Sequence, residues 1–216
     1  MIKAVIFDLD GTLLNTSVDL ANALNFALSY YGFKKQTIED IIGKSGDGNR
    51  NLVLRSLDKD VDEETFNKVF DLFKKTYFDN SINETYIYDG MTEVLHTLKN
   101  KGYKLAVASN KMDFLTQKII KHYFNDIFDF VTGGRDDIKL KPNPDIVYYC
   151  LDKLGVTSDE AVYVGDSFGD YKTSINAKVT PVIVTYGFRK RSFLEERGAK
   201  TLIDSPKELL EVLKWS

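Results

Sequence analysis

Short apolar runs alternate with segments of helical periodicity along most of this chain. The apolar runs are rich in β-branched and aromatic residues and cover residues 2–9, 104–108, 128–132, 161–164, 181–185 and 200–203. Runs of this kind predict strands that are buried on both faces, as in a parallel sheet. The helical patterns cover a segment that ends near Lys101 and residues 114–122, 144–154, 171–177 and 206–214. The alternation therefore predicts an α/β fold in which helices cover both faces of a parallel sheet.

The segment that follows the first strand breaks this alternation. From residue 15 to about residue 85 the pattern is helical, with no strand signal. Apolar spacing predicts helices over residues 17–31, 49–57 and 63–78, and residues 43–48 form a glycine-rich loop. We therefore predict two domains. Residues 1–14 and 86–216 form an α/β core domain, and residues 15–85 form an inserted helical cap domain whose two junctions lie on the same side of the sheet.

Composition and charge narrow the classes of partner. The chain has 216 residues, of which 43% are hydrophobic and 28% are charged, as in an ordinary soluble globular protein. With 29 basic and 32 acidic residues, the net charge of −3 gives no reason to expect a nucleic acid or an anionic membrane as partner. The densest basic cluster, Arg189-Lys190-Arg191, is short, and we interpret it as a solvated loop.

The single cysteine and the N-terminal segment indicate the cellular compartment of the protein. Cys150 cannot form an internal disulfide, and its neighbours predict a buried thiol on a helix face. The first apolar run ends at Asp8, and no apolar stretch reaches the ~20 residues that a membrane helix needs. We expect a cytoplasmic protein with no membrane partner. The sequence leaves monomer and homodimer open.

Polar side chains follow four of the predicted strands in order. They are Asp8, Asp10 and Thr12, then Ser109 and Asn110, then Lys141, and finally Asp166 and Asp170. Parallel sheets bind ligands at the carboxyl ends of their strands, so these groups are expected to meet at one rim. Carboxylates crowded together repel one another, and a hard divalent cation relieves that repulsion. Mg²⁺ suits carboxylates combined with a substrate phosphate.

Each of these motifs has an ordinary structural interpretation when it is taken alone. Thr12 and Ser109 could cap helices, Asp166 could close a turn, and Lys141 could be solvated. What favours function is their joint occurrence, in order, each one after a predicted strand.

Four motifs resemble those of the haloacid dehalogenase-like hydrolase superfamily. They are Asp8-Leu9-Asp10-Gly11-Thr12, Ser109-Asn110, Lys141-Pro142 and Gly165-Asp166-Ser167-Phe168-Gly169-Asp170. The resemblance covers essentially the whole chain, including the insertion. It implies a Rossmann-like sheet with an all-helical cap domain after strand 1, and a phosphatase that hydrolyses small phosphate monoesters through an aspartyl phosphate.

The resemblance also implies a role for each motif residue. Asp8 would be the nucleophile and Asp10 the general acid and base. Phosphate binding would fall to Thr12, Ser109, Asn110 and Lys141. Mg²⁺ would be held by Asp8, the main-chain carbonyl of Asp10, Asp166 and Asp170, the last directly or through water. This chemistry is sound in itself, because a carboxylate that attacks phosphorus splits one hard step into two.

Several related activities remain open at this point. Asp10 argues against dehalogenases, which lack it, whereas Lys34, Lys35 and Lys44 leave a phosphonatase with a Schiff-base lysine possible. Similar β-phosphoglucomutase-like isomerases usually carry an acidic residue where this chain has Gly165, which favours hydrolysis. A receiver-type phospho-switch module uses similar groups, but in another order and without a helical insertion.

The insertion is most similar to that of the phosphoglycolate phosphatase subgroup. The similarity lies in Asp19-Leu20, Ala23, Leu24-Asn25, Ala27-Leu28, Gly32, Ile42-Gly43-Lys44 and Asn51-Leu52-Val53, with Asn15 as a departure where relatives often have aspartate. Related pyrophosphatases and sugar phosphatases share much of this pattern. We expect Lys44 and Arg50, in or beside the glycine-rich loop, to contact a small phosphorylated metabolite. The alternative is that this loop only turns the chain.

Overall fold

The computed structural model of the protein describes residues 1–57 and 61–215. Its strands are β1 (Ala4–Phe7), β2 (Leu14–Asn15), β3 (Tyr86–Ile87), β4 (Lys104–Met112), β5 (Phe130–Gly134), β6 (Ala161–Gly165), β7 (Thr180–Val184) and β8 (Leu202–Ile203). Six of them form a parallel sheet in the order β5-β4-β1-β6-β7-β8. The expected parallel α/β sheet is confirmed, with the first strand at its centre.

The helices lie in the positions that the periodicity indicated, with two additions. They are α1 (Ser17–Tyr30), α2 (Ile38–Lys44), α3 (Asn49–Ser56), α4 (Glu63–Asn80), α5 (Met91–Asn100), α6 (Asp113–Phe124), α7 (Asp145–Leu154), α8 (Phe168–Ala177), α9 (Arg191–Glu195) and α10 (Glu208–Val212). The additions are α2 and α9, which are short. A capping box at α2, in which Thr37 and Asp40 bond each other's main chain, starts that helix.

Helices cover both faces of the sheet because both faces of its strands are apolar. Val5 and Phe7 of β1 join an apolar cluster with α5, α6 and α10 on one face. Ala4 and Ile6 of the same strand join a second cluster with α7 and α8 on the other face. Alternate side chains of a strand point to opposite faces, so a strand buried on both sides reads as a continuous apolar run.

The helices α1 to α4 between the first strand and the rest pack around a cluster of their own. Its largest fully buried side chains include Leu24, Leu28, Phe73 and Tyr77. Leu115 of α6 also belongs to this cluster, and Phe188 packs against it. The inserted helices therefore rest on the carboxyl-terminal edge of the sheet.

Two short strands join the two ends of the insertion. Leu14 and Asn15 pair antiparallel with Ile87 and Tyr86. Nearby, the buried carboxylate of Asp19 accepts hydrogen bonds from main-chain N–H groups across the junction. These strands were not predicted, because two residues are too few for a period-two pattern to emerge.

Other differences from the expectations concern element ends. β1 is shorter than predicted, and β4 continues past residue 108 through the motif that was assigned to the following loop. Arg191 begins helix α9, so the basic cluster is only in part a loop. Cys150 is fully buried, as expected. Within the described residues, no helix combines the length and apolar character needed to cross a bilayer.

Candidate active site

The carboxylate of Asp8 lies immediately beyond the end of the central strand β1. Its side chain is almost fully buried, and the main-chain N–H of Leu9 donates to its Oδ1 at 2.7 Å. The Nζ of Lys141 lies 2.9 Å from the same oxygen. No described residue donates to Oδ2, so one oxygen of Asp8 is held by the protein while the other is available for chemistry.

Lys141 is the central cation of this group. Besides Asp8, its buried ammonium contacts the Oδ1 of Asp170 at 2.7 Å and the hydroxyl of Tyr163 at 2.8 Å. Burial lowers the pKa of Lys141, but the adjacent carboxylates of Asp170 and Asp8 raise it well above its usual range. The lysine is therefore charged at neutral pH, although it is out of contact with water.

Asp166 and Asp170 complete a cluster of buried carboxylates with Asp8. One oxygen from each of the three lies within 4.8 Å of the others. The Oδ2 of Asp166 accepts the main-chain N–H of Phe188 at 2.7 Å, which leaves its Oδ1 without a described donor. Asp170 is more fully engaged, since its Oδ2 accepts the N–H and hydroxyl of Ser167 while its Oδ1 faces Lys141.

The charged forms of two of these carboxylates are costly in this arrangement. Burial raises the pKa of Asp8 to about 7, with Lys141 opposing the shift and Asp170 and Asp10 adding to it. Burial likewise raises the pKa of Asp166 well above its usual range, and the nearby Asp170 and Asp8 add to this effect. A carboxylate cluster of this kind favours a divalent cation, which would offset the repulsion.

Asp10 is held on the side of the cluster nearest the inserted helices. Its Oδ1 accepts the hydroxyl of Thr16 at 2.5 Å and lies 3.0 Å from the Nζ of Lys111. Lys111 is buried and also donates to the hydroxyl of Tyr77 in α4 at 2.5 Å. Burial lowers the pKa of Lys111, but Asp10 and Tyr77 raise it above its usual range. Asp10 therefore sits between an ammonium and a hydroxyl, with its other oxygen free of described donors.

The expected phosphate-binding residues occupy different positions. Ser109 is buried beside the cluster and lines its cavity. The amide of Asn110 is engaged with the main chain, because it donates to the carbonyls of Lys141 and Gly46 and accepts from the N–H of Lys141. Thr12 is fully buried, its hydroxyl has no partner in the described chain, and it does not line the cavity.

A cavity separates this cluster from the inserted helices. Its walls come from the loops after β1, β6 and β7, from the end of β4, and from α1, the loop before α3 and α3. They include Asp8, Asp10, Leu20, Ser45, Gly46, Gly48, Asn49, Leu52, Ser109, Asn110, Lys111, Asp166, Ser167, Phe188 and Arg189. Charged and polar groups form its floor, and the insertion forms its roof. The arrangement can hold a small anion against buried cations.

Lys44 and Arg50, the two residues of the insertion that were expected to contact substrate, do not line this cavity. The Nζ of Lys44 donates to the Oε1 of Gln36 at 2.6 Å. The guanidinium of Arg50 lies over the ring of Phe66, 4.4 Å from its centroid, and the residue is exposed. The structure thus brings together the core motifs but not these two side chains.

Two cations of the cavity were missed by the sequence interpretation. Lys111 was not among the predicted site residues, and its burial depends on Tyr77, which is distant in sequence. Arg189 was interpreted as part of a solvated loop. Its guanidinium donates to the main-chain carbonyls of Ile42 and Ser45 at 2.9 and 3.0 Å. No local sequence signal marks either contact.

Comparison with known proteins agrees with this geometry. The family model described as "Haloacid dehalogenase-like hydrolase" matches residues 5–184. A protein named phosphoglycolate phosphatase from Aliivibrio fischeri is 31% identical, with 100% of this chain and 98% of the relative aligned. One of the same name from Haemophilus influenzae is 32% identical, with 98% of each chain aligned. A crystal structure of an inferred phosphoglycolate phosphatase from Lactobacillus delbrueckii subsp. bulgaricus superposes with a TM-score of 0.92 at 34% identity, covering 98% of each chain.

The parallel sheet, the aspartate that follows its first strand and these matches define one class of protein. The chain belongs to the haloacid dehalogenase-like hydrolases. Within them it is similar to the phosphoglycolate phosphatases, so it is an enzyme of the phosphoric monoester hydrolase type. The family that the four motifs indicated is confirmed.

Proposed function

We propose that this enzyme is a Mg²⁺-dependent phosphatase that hydrolyses small phosphate monoesters through an aspartyl phosphate on Asp8. The observation that carries the proposal is the carboxylate of Asp8, which has only one of its two oxygens engaged by the protein and lies beside Lys141 and two further buried carboxylates. Leu9 and Lys141 engage Oδ1, which leaves Oδ2 to attack phosphorus. Attack forms an Asp8–phosphorus bond and breaks the ester bond, and water later cleaves the acyl phosphate.

Asp10 is the proposed general acid and base. It would donate a proton to the departing ester oxygen and later remove one from the attacking water, as a single positioned group can do in sequence. Thr16 and Lys111 hold its Oδ1, which supports a fixed orientation of the carboxyl group toward the cavity.

The donor set fits Mg²⁺. Asp8 and Asp166 each have a carboxylate oxygen without a described donor, and hard oxygen ligands are what this ion prefers. We propose these two carboxylates and the main-chain carbonyl of Asp10 as ligands. Asp170, which is engaged by Lys141 and Ser167, would support the ion through water. When bound, Mg²⁺ supplies positive charge for the phosphoryl oxygens.

Ser109 and Lys141 are the proposed phosphoryl-binding residues of the protein. Ser109 lines the cavity, and Lys141 brings a buried charge to Asp8, where negative charge accumulates on the transferring group. Asn110 would act on Lys141 by holding its main chain. Thr12 stays a predicted phosphate contact, and its unpaired buried hydroxyl is consistent with a missing partner.

Hydrolysis is favoured over a mutase by the space around Gly165. A Cβ atom added there would lie 2.3 Å from the Cβ of Asp170, so no other residue fits without displacing that aspartate. The acidic residue that similar mutases usually carry at this position therefore has no room here.

We propose that residues 15–85 act as a cap domain over the core formed by residues 1–14 and 86–216. The separate apolar cluster of the inserted helices and the paired strands at its ends support this division. A cap that covers the site would exclude water and select the leaving group. Phosphoglycolate is the proposed substrate, on the basis of the named relatives and the small cavity.

The test combines a substrate panel with one variant. Purified protein with Mg²⁺ should hydrolyse phosphoglycolate in preference to pyrophosphate, hexose phosphates and nucleotides. Asp8→Asn should remain folded, lose turnover, and no longer yield the acid-stable phosphoprotein that mass spectrometry detects after rapid quenching of the wild type. Retained turnover in a homogeneous Asp8→Asn sample would contradict the assignment of the nucleophile. Preference for another member of the panel would replace phosphoglycolate but leave the mechanism standing.

A further inference from the structure

We propose that Arg189 is a specificity-determining residue that binds an anionic group on the leaving group of the substrate. This inference rests on the proposed function, since it concerns which phosphate monoester the cavity accepts. The carboxylate of phosphoglycolate, the substrate proposed above, is such an anion, because it stands close to the phosphate in a small molecule.

Arg189 is built into the active-site wall by its neighbour. The main-chain N–H of Phe188 donates to the Oδ2 of Asp166, and the Phe188 ring packs against the apolar cluster of the inserted helices. Both residues line the cavity that contains Asp8. The positive charge of Arg189 is close enough to lower the pKa of Asp166, against the larger effect of burial. The guanidinium therefore belongs to the electrostatic environment of the reaction.

The charge of Arg189 has no carboxylate partner within the described chain. Arg55 pairs with Asp47, and Arg191 pairs with Asp204. By contrast, the two terminal nitrogens of Arg189 donate to main-chain carbonyls of the insertion. A guanidinium has five N–H donors, so these two bonds leave others free, and Asp166 acts on its charge only from beyond ion-pair distance. A bidentate anion is the natural complement of such a group.

A second set of donors faces the same cavity from the insertion. Asn49 is only 9% exposed, lines the cavity, and its side-chain amide has no described hydrogen-bond partner. It is also the first residue of α3, whose first turn no side chain caps. Free main-chain N–H groups at a helix start favour anions. Arg189 from the core and Asn49 from the insertion thus present donors to one space.

The competing explanation is that Arg189 only fastens the insertion to the core. A matched pair of substrates separates the two roles. Phosphoglycolate and 2-hydroxyethyl phosphate have the same carbon chain, but the second carries a neutral hydroxyl in place of the carboxylate. A residue that fastens the insertion affects both substrates alike, whereas a residue that binds the carboxylate affects one.

The experiment measures kcat/KM of both substrates for the wild type, Arg189→Gln, Arg189→Lys and Arg50→Gln. Arg189→Gln should lower kcat/KM for phosphoglycolate by about 10- to 150-fold, the range for one hydrogen bond to a charged group. The loss for 2-hydroxyethyl phosphate should be less than about 3-fold, because that substrate offers no charge to bind. Arg189→Lys should give an intermediate loss of kcat/KM for phosphoglycolate, since lysine keeps the positive charge but cannot form two parallel hydrogen bonds to a carboxylate. Arg50→Gln is the control, because its guanidinium is exposed over Phe66.

Each outcome decides one question. Equal losses for both substrates in Arg189→Gln would overturn the inference while leaving the phosphatase assignment intact. A selective loss in Arg50→Gln, with none in Arg189→Gln, would overturn it as well. If the wild type hydrolyses neither substrate nor any other phosphate monoester, the proposed function itself fails. Thermal unfolding of each variant establishes that the protein is folded in the assay.

Discussion

The affinity of the metal-free protein for Mg²⁺ should depend strongly on pH. In the metal-free protein, burial and neighbouring carboxylates raise the pKa of Asp8 to about 7. A cation that uses this carboxylate must therefore displace a proton at mildly acidic pH. The same linkage affects stability. Between the ordinary pKa of 3.8 and about 7, the folded state holds a proton that the unfolded chain has lost. The metal-free fold therefore loses stability as the pH rises through that range.

The magnitude follows from the pKa itself. With a pKa of about 7, Asp8 is ionised in about one tenth of molecules at pH 6 and in about nine tenths at pH 8. The Kd for Mg²⁺ should thus be at least about 9-fold lower at pH 8 than at pH 6. Asp166, whose pKa is also raised, increases the difference. Each pKa unit corresponds to about 1.4 kcal/mol, so Asp8 alone reduces metal-free stability by at most about 4 kcal/mol across this range.

Isothermal titration calorimetry of chelator-treated protein measures the effect directly. Titrations with MgCl₂ at pH 6 and pH 8, each in two buffers of different ionisation enthalpy, give both Kd and the number of protons released. We expect close to one proton or more at pH 6 and fewer at pH 8. Asp8→Asn, which preserves the shape of the side chain, should bind Mg²⁺ more weakly because a proposed ligand is lost, and it should release fewer protons because only Asp166 still titrates with a raised pKa. Equal Kd values at the two pH values, with no proton release, would refute the reasoning.

Three further variants test separate parts of the site. Asp10→Asn should lower kcat by about 10²–10⁴-fold in steady-state assays with an alkyl phosphate, because the proton donor is lost; an unchanged kcat would exclude this role. Lys111→Met should lower kcat at least about 10-fold, because Asp10 loses the ammonium beside its Oδ1, and it should also lower Tm, because one partner of a buried ion pair is removed; an unchanged kcat would exclude a role in catalysis. Gly187→Ala should weaken Mg²⁺ binding, because its Cβ would lie 2.5 Å from the Cβ of Asp166, whereas Gly43→Ala meets nothing within 4 Å and should bind normally.

The features that the sequence predicted well depend on local patterns. The strands of the parallel sheet are buried on both faces, so each appears as an unbroken apolar run such as that around β1. The motif residues follow those strands directly, and parallel topology then brings them to one edge without further information. Asp8, Asp166 and Asp170 meet for this reason.

The features that were missed depend on contacts between distant segments. The burial of Lys111 requires Tyr77, 34 residues away in the inserted helix α4. Arg189 contacts Ile42 and Ser45 across 147 and 144 residues. Each of these side chains looks like a solvated cation in its local sequence. By contrast, α2 does carry a local signal, the capping box that begins at Thr37, which the glycine-rich loop beside it obscured.

The pairing of β2 with β3 has a consequence for how the enzyme can be rebuilt. The chain leaves the core at Asn15 and returns at Tyr86, and these two residues are direct partners in an antiparallel pair. Their Cα atoms are thus only about 5 Å apart, a gap that a tight hairpin can close. If residues 15–85 form a cap domain as proposed, they can be exchanged for the corresponding piece of a relative that keeps the hydroxyls of Thr16 and Tyr77, which hold Asp10 and Lys111. Chimeras joined at this pair would keep the chemistry of the core parent, and their substrate range would show how much selectivity comes with the insertion and how much stays with Arg189 of the core.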